Sequence, residues 1–172
     1  MTQRVERDAV LAEFDRARGE FEEALRRAPD AALRYKPAGE DYALGGLVVH
    51  VTDVLRRYAL LVDAVRAADF APMQAPESPT PPEDAAQIRE GFGAEARASV
   101  LESMRSAHSA FVDAIRNTPS TALDRKADVT YAGAKQPHPT APLDVVGWVL
   151  DHYREHTQQV GDLVSAWADA SR

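Results

Sequence analysis

The chain has 172 residues, 45% of them hydrophobic and 27% charged, with a formal net charge of -7 and no cysteine. This composition suits one globular domain and excludes a disulfide scaffold, a thiolate metal site and a cysteine nucleophile. The basic residues are dispersed among acids, which argues against a nucleic-acid partner, and no apolar run reaches the roughly 18 residues needed to cross a bilayer. The first residues, MTQRVERDAVLAEF, contain no apolar signal segment, so the expected location is cytoplasmic and no membrane partner is expected.

The spacing predicts a first helix over residues 5–28. Val10, Phe14, Ala17, Phe21, Leu25 and Ala28 recur at three- and four-residue intervals and share one face, and Pro29 closes it. A loop with Pro37 and Gly39 leads to a second helix over 44–68. Its apolar stripe is Leu47, Val51, Val54, Leu55, Tyr58, Leu61, Val62 and Val65, and His50 falls inside it. The pairs Arg26-Arg27 and Arg56-Arg57 are read as solvated helix faces.

Five of the twelve residues from 71 to 82 are proline, so this stretch is an extended crossover. A third helix is expected over 83–117, weakened near Gly91 and Gly93, with Val100, Leu101, Met104, Phe111 and Ile115 as its stripe and His108 on the same face. A long irregular segment, 118–140, carries an alternation near Val129 to Tyr131 that suits a short strand. The fourth helix spans 141–170, with Thr140 as expected N-cap, Pro142 in the first turn and Asp144 favourable to the dipole. Val145, Val149, His152, His156, Val160, Leu163 and Trp167 form its stripe. Four amphipathic helices joined by long links predict an all-α four-helix bundle in a single domain covering the chain.

Four of the five histidines thus sit on core-facing stripes. A buried imidazole is costly unless both nitrogens find partners. His152 and His156 are one turn apart on one face and can grip one metal ion from a rigid element. With His50 from the second helix they make three imidazoles with coordination positions left open, the layout of a catalytic site. Imidazole donors suit Zn first, then Ni, Fe or Co. Glu155 directly precedes His156 and, like Asp151, is expected on an outer face, so no H-E-x-x-H base is present. Asp53 lies near the face of His50, as a candidate to orient a ligand, hold a water or act as base, or as a surface charge paired with Arg57. His108 is a further candidate for the neighbourhood of the metal.

The string Tyr42-Ala-Leu-Gly-Gly-Leu-Val-Val-His50 and the string Leu150-Asp-His-Tyr-Arg-Glu-His-Thr-Gln-Gln-Val160 resemble the second- and fourth-helix motifs of the DinB-like (DinB/YfiT) superfamily. The resemblance covers essentially the whole chain. It implies a bundle with long crossovers, His50, His152 and His156 as ligands of a divalent metal, a small-molecule substrate and homodimers. It also implies thiol-dependent transferases and isomerases, hydrolases, or members without known activity. Ala43 stands where the cap of the second helix is often Ser or Thr. Two readings follow. One is a metal-dependent S-transferase or hydrolase activating water or a low-molecular-weight thiol cosubstrate. The other is a non-catalytic, stress-related bundle that binds a metal or small molecule. A basic rim around the histidines, for which Arg56, Arg57 and Arg154 are the nearest arginines in sequence, would favour an anionic thiol.

Overall fold

The computed structural model describes residues 2–77 and 80–172; Ser78 and Pro79 of the proline-rich crossover lie outside the described residues. Four long helices carry the fold: α1 (Thr2–Arg27), α2 (Gly46–Ala67), α4 (Arg97–Arg116) and α5 (Pro142–Ala170), with a short α3 (Pro82–Glu90) before α4. They form a four-helix bundle in which α2 packs on α4 and α5, and α1 packs on α5. The apolar stripes meet inside it: Phe14, Phe21, Leu47, Leu55, Met104, Phe111 and Tyr153 are fully buried.

The third helical stretch is two helices. Gly91 has φ +69, a left-handed value that ends α3, and α4 begins at Arg97. The start of α2 also differs from its expected place. Ala43 does not cap it: its N–H donates to Ile88 O (3.1 Å), while Leu44 donates to Tyr35 O (2.9 Å) and Gly45 to Leu33 O (2.9 Å). These backbone bonds hold the approach to α2, and the helix begins at Gly46. A Cβ on Gly46 would lie 2.0 Å from the Ile88 carbonyl oxygen, so this close approach of α2 to α3 requires glycine.

Three short strands, β1 (Met73–Gln74), β2 (Ala127–Thr130) and β3 (His138–Thr140), bind the two long connections together. β1 runs parallel to β2 with Met73 opposite Val129, and β3 runs antiparallel with Thr140 opposite Ala127. Thr140 is therefore a strand residue; its hydroxyl meets Tyr131 Oη and His138 O at 3.0 Å. The cap of α5 is made instead by the Asp144 carboxylate, which accepts from the Ala141 N–H at 3.0 Å.

Ion pairs fasten α1. Buried Glu22 accepts from Arg18 (2.7 Å), Arg26 and, across to α4, Arg105 (2.5 Å). The Arg105 hydrogen bond is the main cause of a Glu22 carboxyl held below its ordinary range. Arg97 donates to the carbonyls of Arg26 (3.0 Å) and Ala28 (2.8 Å), satisfying acceptors left over at the end of α1. No helix among the described residues is long and apolar enough to cross a membrane.

Candidate metal centre

His50 lies one turn into α2, and His152 and His156 lie one turn apart in the middle of α5. Because α2 packs on α5, the three rings converge. His50 Nε2 is 2.9 Å from His152 Nε2, and His156 Nε2 is 3.1 Å from the same atom. One nitrogen from each ring lies within 4.8 Å of both others. Donors bound to one ion at about 2.0–2.1 Å are separated by roughly 3 Å, so this spacing suits a single first-row metal ion.

The protons reinforce this fit. His156 Nδ1 is 2.7 Å from Gln159 Oε1, and the Gln159 amide nitrogen faces Glu40 Oε2 at 3.4 Å. The amide orientation is set by the carboxylate, so His156 Nδ1–H donates to Oε1 and its Nε2 is bare. His152 Nε2 then meets two neighbours with one site. If it carries a proton, it can donate to one neighbour only. If it is bare, it faces the bare nitrogen of His156. In the first case one contact lacks a full hydrogen bond and in the second two lone pairs face each other, and a cation at the centre satisfies all three nitrogens.

All three imidazoles are neutral near pH 7. Burial, then the charge of His156, pushes His50 down to about 4. Burial, then His156 and His50, pushes His152 down to about 3. Burial lowers His156 as well, opposed by its bond to Gln159. Neutral imidazole is the ligating form, so no proton has to be displaced before a metal binds.

A cleft of about 420 Å³ opens onto His152 and His156, lined also by Tyr42, Glu155, Gln158, Gln159 and Asp162. The Tyr42 ring packs on His50, with centroids 4.5 Å apart, and stands edge-on to His156 at 5.9 Å. A second cleft, of about 660 Å³, is lined by Arg57, Gln74, Glu77, Thr130 and Tyr131. Arg57 is near enough for its charge to oppose protonation of both His50 and His152.

The other candidates fall elsewhere. His108 is not part of the cluster. It stacks on Phe14 (4.4 Å between centroids), and its two nitrogens face Asp15 Oδ1 of α1 (2.7 Å) and Tyr153 Oη of α5 (3.0 Å). Asp53 is buried, and its oxygens meet Arg57 Nη2 at 3.0 Å and the Thr80 hydroxyl. The pairing with Arg57 is as expected, but its carboxylate is buried and not at the surface. Glu155 is exposed, as expected, and also lines the cleft. Asp151 does face outward, 3.5 Å from Arg154. Sequence reasoning assigned no role to Gln159, Glu40 or Asp162. The i, i+3 spacing of His156 and Gln159 was a usable signal for the first.

The profile of the DinB superfamily matches residues 13–160. Among solved structures, the mycothiol-dependent maleylpyruvate isomerase superposes with a TM-score of 0.63 at 12% identity, over 90% of this chain and 60% of the isomerase. This chain thus spans under two thirds of that protein's length. A DinB-like protein from Bacillus subtilis gives a TM-score of 0.57 at 14% identity, covering 93% of this chain and 92% of the other. A conserved protein from Enterococcus faecalis gives 0.60 at 16% identity, covering 91% and 94%. No curated protein matches by sequence. At such identities the structures show a common fold and no more. With the profile covering most of its length, the chain belongs to the DinB superfamily.

Proposed function

We propose that this protein is a metal-dependent enzyme whose three histidines hold one divalent transition metal, Zn foremost, and that it acts on a small molecule as an S-transferase or hydrolase. The observation that carries this reading is the convergence of three neutral Nε2 atoms whose mutual contacts cannot all be hydrogen bonds. The metal, once bound, supplies Lewis acidity that brings a water or thiol toward its anionic form near neutral pH.

The chain's own residues do the rest. His152 and His156 project from one rigid helix, so their separation is fixed before any ion arrives. Gln159 holds the His156 ring with Nε2 directed inward, and Glu40 holds Gln159. Tyr42 walls one side of the trio and keeps water from that face of His50. The cleft over His152 and His156 leaves an approach for substrate on the side the histidines do not occupy. The name of the mycothiol-dependent neighbour supports a thiol as the activated group. The absence of protein cysteine fits a thiol that arrives from solution.

Metal analysis of the purified protein beside His50→Ala and His156→Ala tests the proposal. About one equivalent of transition metal per chain, lost in both folded variants, is expected. No metal at any loading overturns it. Metal bound without turnover in thiol-transfer and hydrolase assays returns the protein to the binding-bundle reading.

A further inference from the structure

The cleft over the histidines has a definite charge. Glu155 and Asp162 line it together with His152, His156 and the uncharged side chains of Tyr42, Gln158 and Gln159, and no arginine or lysine is among the lining residues. Glu40 stands behind the Gln159 amide.

None of the arginines nearest the histidines lines this cleft. Arg154 pairs with Glu13 of α1 and lies 3.5 Å from Asp151. Arg56 pairs with Asp84 of α3 at 2.9 Å. Arg57 lines the other cleft and pairs with buried Asp53. A basic rim suited to an anionic thiol is therefore not what the fold builds on this side. Any molecule reaching His152 and His156 through this cleft passes two carboxylates and an aromatic ring.

We propose that the ligand admitted through this cleft carries a protonated amine, with Glu155 and Asp162 as its counter-charges and the Tyr42 ring as its wall. This rests on the metal-centre reading above. The carboxylates are not a site by themselves; they set which ligands reach the histidines. Both are exposed, so the preference is moderate and salt-dependent.

The test uses the full-length protein loaded with Co(II) and three small thiols that differ in charge: cysteamine, 2-mercaptoethanol and 3-mercaptopropionate. Binding is read from the thiolate-to-cobalt charge-transfer band, and affinities are expressed per free thiolate so that thiol acidity does not enter. Cysteamine is expected to bind on the order of tenfold more tightly than 3-mercaptopropionate at low salt, with 2-mercaptoethanol between. The preference is expected to shrink at high salt and to collapse in Glu155→Gln/Asp162→Asn, with each single variant intermediate. Equal affinities, a preference for 3-mercaptopropionate, or a preference that survives the double variant would overturn the inference and leave the metal site standing. Failure to take up cobalt would instead overturn the metal centre and the inference with it.

Discussion

Nδ1 of His156 lies 2.7 Å from Oε1 of Gln159, one turn further along the same helix. This contact decides which nitrogen of His156 faces the other two histidines. Gln159→Leu is expected to weaken metal binding by about 10–100-fold, measured by competition with a chromophoric chelator. Gln159→Glu keeps an acceptor at that place and is expected to retain most of the affinity. Equal affinity in the wild type and the leucine variant would show that the ring needs no such orientation.

The trio makes the metal-free protein sensitive to acid. His50 and His152 are pushed down to about 4 and about 3 in the folded chain, from an unfolded value near 6.5. Between these limits the unfolded chain binds more protons than the folded one, so stability falls as the pH falls. Above about 6.5 the histidines contribute no slope. Chelator-treated protein is expected to lose thermal stability from about pH 6.5 down to about pH 4, and His152→Asn to show a shallower decline. Parallel curves for the two proteins would refute the assignment.

Tyr153 is fully buried, and its hydroxyl is 3.0 Å from Nδ1 of His108. With Nε2–H of His108 donating to Asp15 at 2.7 Å, Nδ1 accepts the tyrosine proton. His108→Leu strands a buried hydroxyl and is expected to cost about 1–3 kcal/mol in urea unfolding. Tyr153→Phe strands the imidazole nitrogen at similar cost, and the double variant is expected to lose less than the two losses added. Simple additivity would mean that the pair does not interact.

Two glycines offer opposite outcomes. Gly46→Ala drives a Cβ against the Ile88 carbonyl at 2.0 Å and the Gln87 carbonyl at 2.9 Å. Backbone cannot yield cheaply, so a loss of about 1–3 kcal/mol is expected. Metal affinity is expected to fall with it, because His50 is one turn away. Gly147→Ala meets nothing within 4 Å inside α5 and is expected to stabilise by up to about 1 kcal/mol. Calorimetry on both variants checks the contrast.

The four helices were legible because burial on one side of a helix leaves a three- and four-residue period in the chain itself. The same local geometry placed His152 and His156 on one face, and put His50 on the stripe that faces them. That is as far as local periodicity reaches. That the exposed Glu155 also borders the cleft depends on where the bundle opens, and that is set by the packing of α5 against α2. His108 shared an inward stripe with the others, yet it meets Asp15 of α1 and Tyr153 of α5 and not the other histidines. The start of α2 moved to Gly46 because loop amides bond back to Leu33 and Tyr35 in the preceding loop and across to Ile88 of α3. The sequence alone thus determined which side chains point inward. Only the tertiary structure decided which of them meet, and what charge surrounds the place where they do, because both depend on distances between helices that no single helix encodes.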